Sequence, residues 1–364
     1  MAPIVTSLAS IVKQFGIGAV IAAPGIRILA TGGETIDYTT GGIDYRAHIF
    51  SSTGTFTVTD PAITSVDVLV VAGGGGGGQN HGGGGGAGGL LYGSSFPVTA
   101  TSYPIVIGAG GAAATPNTNA NGGNGSQTTF ATPGGTATAT GGGGGGSRGG
   151  GYDATGSAGG SGGGGGWPEA NVSYPGGPGT QAPQLSGALT GYGNPGGNAD
   201  SNGGGGGGAG GSGGAARPSI SGGNPGPGRD YSISGMPITY AVGGRGGTQD
   251  VALGWGNPSP LAFNSAGSGG NGGIGGYGRG SNGQSGTVVL KYTVPSGSGN
   301  SAKATGGAIS FYGGKTIHIF TSSGTFTTKS NWTAASVEYV VIGGGGGGGG
   351  DAGGGGGAGG YLTG

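Results

Sequence analysis

The chain has 364 residues, of which 110 are Gly, against roughly 7% Gly in an ordinary protein. With 7% charged and 32% hydrophobic residues, the composition argues against a large conventional core and places rigidity in backbone pairing. Twelve Lys and Arg balance twelve Asp and Glu, and Cys is absent, which disfavours the basic field needed for nucleic acid or an anionic membrane and removes disulfide and thiolate chemistry.

The first recognisable segment is Ile4–Ala23 (IVTSLASIVKQFGIGAVIAA). Lys13 and Gln14 lie at its centre, Gly16 and Gly18 follow, and no basic region precedes it, so it fits a membrane span or secretory signal poorly. A short amphipathic helix or buried docking segment fits better, and residues 1–40 are assigned to docking or assembly. Six runs then read as strands: Ala47–Phe50, Thr55–Thr59, Val66–Ala72, Tyr103–Ile107, Ile238–Val242 and Thr287–Val294, each bounded by Gly, Pro, Ser or Asn. In the last, Val288, Leu290, Tyr292 and Val294 share one face and Val289, Lys291 and Thr293 the other, predicting one buried and one wet face.

Between the strands, uninterrupted Gly runs occupy 73–78, 82–86, 141–146, 162–166 and 203–208. Glycine loses more backbone entropy on ordering than any other residue, so ordered runs make sense where side chains must be absent. Polyproline-II-like runs, with three residues per turn and about 3.1 Å rise, direct N–H and C=O groups sideways and would pack as a solid. Collagen lacks support because no strict Gly-X-Y period is present. Loose solvated linkers are the competing reading. The fold expected is mainly β with polyglycine-II-like helical packing in repeated modules, together with a short N-terminal helix.

Two inserts carry chemistry. Trp167–Tyr174 (WPEANVSY) and Trp255–Phe263 (WGNPSPLAF) set Trp beside Pro, Asn and Ser, a set that suits sugar or protein surfaces and equally suits stapling a loop over a small core. The candidate receptor contacts are Trp167, Asn171, Tyr174, Trp255 and Asn257. Metal ligation and catalysis find no pattern: His48, His81 and His318 are far apart, no HExxH, GKS/GKT or GxSxG occurs, and neither Asp153 nor Glu169 has an identifiable catalytic partner. No enzyme, metal or cofactor is expected.

The decisive feature is internal similarity. His48–Thr57 (HIFSSTGTFT) recurs at His318–Thr327 (HIFTSSGTFT), Ser65–Gly78 at Ser336–Gly350, and Gly82–Gly93 (GGGGGAGGLLYG) at Gly353–Gly364 (GGGGGAGGYLTG). The expected organisation is a first module over residues 41–295, a linker over 296–305, and the beginning of a second module over 306–364, which reads as cut mid-module. His48, Phe50, Phe56, His318, Phe320 and Phe326 are assigned to its scaffold.

These openings, with VLVVAGGGGGG and the closing segment SGTVVLKYTVP, resemble the glycine-rich modules of bacteriophage tail-fibre and receptor-binding proteins. The resemblance implies a virion tail structural component or adhesin, attached to other tail proteins through residues 4–23, oligomeric with a trimer among the options, and recognising a host surface glycan or outer-membrane protein, without nucleic acid. A self-assembling extracellular filament or surface sheath of the same modules is the alternative.

Overall fold

A computed structural model describes residues 28–364 except 116–119, 149–153, 168–172, 218–220, 249–264, 274, 276–277, 296–303, 313–314, 321–322, 329–331, 333–335 and 347–355. The expected N-terminal helix lies outside the described residues. The strands, in chain order, are β1 (Ala30–Thr31), β2 (Glu34–Thr40), β3 (Ile43–Phe50), β4 (Gly54–Val58), β5 (Ser65–Val71), β6 (Leu90–Pro97) and β7 (Ser102–Val106). They continue with β8 (Thr128–Thr132), β9 (Gly135–Ala139), β10 (Thr190–Tyr192), β11 (Arg229–Tyr231), β12 (Ile238–Tyr240) and β13 (Thr287–Thr293). The last six are β14 (Ala304–Thr305), β15 (Ala308–Tyr312), β16 (Lys315–Ile319), β17 (Thr327–Thr328), β18 (Val340–Ile342) and β19 (Tyr361–Thr363). The protein is mainly β, its strand pairs are antiparallel, and each of the six strand-like runs forms a strand.

Two sheets form the framework, one of five strands in the order β1-β4-β7-β8-β9 and one of eight in the order β10-β6-β5-β13-β3-β2-β15-β16. Inward-facing residues of both meet in one core, where Phe56, Tyr103, Ile105 and Phe130 of the smaller sheet join Val68, Val70, Leu91, Val288, Leu290 and Tyr292 of the larger. Alternation along each strand produces this face, because successive side chains point to opposite sides. The other face of β13 departs from the wet surface expected. Val289 is buried in a second apolar cluster with Leu69, Leu90 and Ile233, and Lys291 pairs with Asp67 at 2.6 Å. The hairpin β11–β12 supplies the cover through Ile233 and Tyr240, packing that no local pattern in TVVLKYT reveals.

Residues 30–40, ahead of the boundary expected at residue 41, also form strands. Ala30–Thr31 pairs with β4 and Glu34–Thr40 along β3, so this stretch is part of the sheet framework. Its apolar signal is weak because the buried residue at the centre of β2 is Asp37, which Arg46 neutralises through a bidentate contact at 2.6 and 2.7 Å.

Beyond the ends of β5 and β6, the glycine runs hydrogen-bond to one another with a period of three residues. Gly73 and Gly76 donate to Ser126 and Gly123, Gly74 and Gly77 to Gln284 and Ser281, and Gly75 and Gly78 to Gly86 and Gly83, at 2.8–3.0 Å. The carbonyls of the same run accept from Gly142 and Gly145, from Gly111 and Ala114, and from Gly270 and Gly273. One run is thus bonded on all sides by six segments, and its glycines are buried.

The later strands reproduce earlier pairings. Ala304↔Thr328 and Thr305↔Thr327 match Ala30↔Val58 and Thr31↔Thr57, and Ile309↔His318 matches Thr35↔His48. Val341↔Leu362 and Ile342↔Tyr361 match Val70↔Leu91 and Val71↔Leu90.

Candidate binding surface

Of the scaffold residues, His48, Phe50 and Phe56 belong to the interior. His48 is buried, donates from Nδ1 to the carbonyl of Gly32 at 2.6 Å, and lies 3.3 Å from the Tyr292 hydroxyl through Nε2. With Nδ1 protonated, neutral His48 accepts the Tyr292 O–H at Nε2. Phe56 meets the ring edge-on, with centroids 5.0 Å apart, and burial holds the imidazole pKa down at about 4. Gly32 turns the chain at φ +104°, where a Cβ would strike the carbonyl of Thr55. Phe50 and Phe56 are buried. The same arrangement recurs at His318, which contacts Gly306 O at 2.7 Å and Phe326 edge-on at 4.9 Å. There Phe320 and Phe326 remain 40% and 38% exposed, and Trp332 packs edge-on against Phe326.

Aromatic and polar side chains gather where two glycine runs reverse. Run 73–78 leaves β5 and run 82–86 leads back toward β6, so the turn Gln79–His81 lies at the end of the glycine layer remote from these strands. Asn80 and His81 take left-handed conformations, φ 47° and 60°, which form the reversal. Neighbouring chains fix it: Gln79 N donates to Ser147 Oγ at 3.0 Å, Asn80 N to Gly278 O at 3.0 Å, and Trp167 N to His81 O at 3.2 Å.

Trp167 stacks on His81 with centroids 4.6 Å apart, and the Arg148 guanidinium sits 4.4 Å from the Trp167 ring centroid. The indole is half-buried while His81 is only 5% exposed. Desolvation, followed by the charge of Arg148, lowers the His81 pKa to about 4, so the ring is neutral at pH 7. Among the described residues neither Asn80 Oδ1 nor His81 Nδ1 has a hydrogen-bond partner, which leaves two buried polar atoms beside an aromatic–guanidinium stack. The part of the half-buried indole left open by His81 and Arg148 is an aromatic surface at the end of the layer.

Among the expected contacts, Trp167 is therefore placed with His81 and Arg148. Tyr174 is half-buried and anchored elsewhere: its carbonyl accepts the Ala199 amide at 2.9 Å beside run 162–166. Asn171, Trp255 and Asn257 lie outside the described residues. The place of His81 in QNH between two glycine runs reads as an exposed turn; the turn is present, but His81 is buried in it against Trp167. Arg148 follows a different glycine run, and its approach to Trp167 depends on the stacking of separate runs. A second polar feature is an open depression lined by Asn124, Ser126, Gln127, Thr140 and Thr180, all uncharged.

No curated protein matches this chain. A family model described as a glycine-rich domain matches residues 51–293, more than half of the sequence and the span that runs from β4 through the glycine layer to β13. The chain belongs to this glycine-rich domain family.

Proposed function

We propose that this protein is a structural component of a bacteriophage tail fibre or tail-tip adhesin that attaches the virion to the host surface without catalysis. The observation that carries the reading is the six-sided bonding of run 73–78, in which donors and acceptors rotate through their neighbours every third residue. That period is the one a polyglycine-II helix would present, so we read the layer as packed polyglycine-II helices. A rigid layer of this kind suits a fibre because it holds loop ends in place under load while leaving their sequences free to vary. Trp167, His81 and Arg148 occupy such an end and form the proposed contact for a host glycan or outer-membrane protein. Residues 4–23 are the proposed attachment to other tail proteins.

The alternative is an extracellular filament of concatenated modules. It is favoured by β15, which pairs with β2 through Ile309↔Asp37 and so extends the first module's sheet with a strand from the second stretch of similarity. Immunogold electron microscopy with antibody against residues 47–294 separates the two. Label on tail appendages of virions supports the adhesin; regular decoration along tail-free filaments overturns it in favour of the polymer.

A further inference from the structure

The open depression beside the smaller sheet lies at the opposite end of the glycine layer from Gln79–His81. Ser126 O accepts the amide of Gly73, where run 73–78 leaves β5. The volume of the depression is about 470 Å³, within the roughly 300–1,000 Å³ of small-molecule clefts. Asn124, Ser126, Gln127, Thr140 and Thr180 line it, and no charged or aromatic side chain does. Strand alternation delivers two of these residues. Thr128 and Phe130 of β8 and Ala137 and Ala139 of β9 are buried, so the paired Thr129 and Thr138 face outward, and the next outward positions are Gln127 and Thr140.

The walls are held by bonds to backbone. Asn124 Oδ1 accepts from Gly144 N at 2.8 Å, Thr180 Oγ1 donates to Gly159 O at 2.9 Å, and Thr140 N donates to Gln181 Oε1 at 2.8 Å. The floor stays bare, because a Cβ on Gly141 would fall on the Gly125 carbonyl and one on Gly159 on the Gly143 amide nitrogen. Among the described residues, Asn124 Nδ2, Ser126 Oγ, the Gln127 carboxamide and Thr140 Oγ1 make no hydrogen bond. A rigid concavity with several unspent donors and acceptors loses little entropy when it takes a ligand.

We propose that this depression is a binding site for a neutral saccharide of one or two rings. Hydroxyls and carboxamides donate and accept, which matches sugar hydroxyls that do the same, whereas a phosphate, sulfate or carboxylate would enter with no cation to meet it. Ala158 adds a small apolar contact. Without an aromatic platform the affinity is low, with Kd on the order of 1 mM. The site is separate from Trp167 at the tip, and its chemistry is the same whether the chain belongs to a tail or to a filament.

The test places the full chain on an array of immobilised neutral hexose and N-acetylhexosamine oligosaccharides, each beside its sialylated or sulfated counterpart, and follows the retained sugar by ligand-observed NMR titration. Neutral members should be retained, with affinity unchanged between about 0.05 and 0.5 M salt. Thr140→Val, which deletes a hydroxyl at constant shape, and Gln127→Ala should each weaken binding by roughly fivefold or more, while Trp167→Ala should leave it unchanged. Unfolding midpoints check that the variants are folded; should Thr140→Val fail to fold, Gln127→Ala, at an exposed position, carries the comparison alone. Retention of no neutral sugar, retention of the anionic counterparts only, or binding that the folded variants leave intact would overturn the proposal. So would binding lost in Trp167→Ala, because the sugar would then sit at the tip. None of these outcomes alters where immunogold label falls, so this site and the adhesin reading fail separately.

Discussion

Gly75 lies against Gly143 so closely that a Cβ on Gly75 would fall well inside 3.0 Å of the Gly143 carbonyl oxygen, a separation real Cβ atoms essentially never show. The obstacle is backbone on every side, so no rotamer change relieves it. Gly75→Ala should destabilise the protein by about 3 kcal/mol or more, through forced separation of the runs and loss of their mutual hydrogen bonds. Gly344→Ala is the matched control: nothing lies within 4 Å of its Cβ, and its φ is not in the left-handed range. That change should be neutral or stabilising by up to about 1 kcal/mol. Urea unfolding of the two variants measures the contrast, and equal midpoints would remove the steric argument.

Amide exchange offers an independent measure of the same layer. The amides of residues 73–78 and 82–87 each donate to a backbone carbonyl of a separate segment, with the exception of the turn between them, whereas Gly343 and Gly346 donate within a hairpin whose strands are exposed. Protection in the first set should approach that of β5 and β13, because opening one amide requires separating several neighbours. Residues 343–346 should exchange faster by orders of magnitude. Uniform rapid exchange across all glycine runs would identify them as solvated connections instead.

The strands were legible where apolar residues alternate or cluster between turn residues, as in Val66–Ala72 and Thr287–Val294. Less visible were β2, whose buried centre is Asp37, and β8 and β9, whose TTFAT and GTATA carry little apolar area. The cover over Val289 was hidden for another reason, since hairpin β11–β12 is some fifty residues upstream in sequence and reaches β13 only through the fold. For the candidate surface, Trp167 was recognisable as an aromatic directly after a glycine run. Its partners His81 and Arg148 were not, because each comes from a different run and local sequence does not specify which runs stack.

The Asp37–Arg46 pair makes a prediction of its own. Both side chains are largely buried, and burial raises the Asp37 pKa even though the Arg46 hydrogen bonds and charge oppose that rise. Arg46→Met leaves a carboxylate in the sheet without its bidentate partner and should cost about 3–5 kcal/mol. Asp37→Asn combined with Arg46→Met should recover a substantial part of that loss, since neither group then needs a counter-charge. A double-mutant cycle by chemical denaturation gives the coupling directly. Additive losses would mean that the pair contributes packing alone.

Acid should destabilise the protein through His48, and the sign follows from the direction of its shift. The unfolded chain takes a proton near the ordinary pKa of 6.5, while the folded imidazole, desolvated by burial that outweighs the opposing hydrogen bond to Gly32 O, resists protonation until about 4. Between those values the unfolded state binds more protons, so stability is complete above pH 6.5, falls as pH is lowered toward 4, and gains no further slope from this group below it. At roughly 1.4 kcal/mol per pKa unit the loss reaches up to about 3 kcal/mol. His81 adds to the same window, while Asp37, a carboxyl with a raised pKa, acts with the opposite sign by favouring the folded state as it protonates. His48→Asn isolates the effect: the amide can still donate to the Gly32 carbonyl but does not titrate. Urea midpoints from pH 7 to pH 4 should decline less steeply in His48→Asn than in the parent, whatever the offset between them at pH 7. Parallel declines would show that His48 is protonated in the folded state with an ordinary affinity, and that the buried, neutral ring described for the sandwich core is not its state in solution.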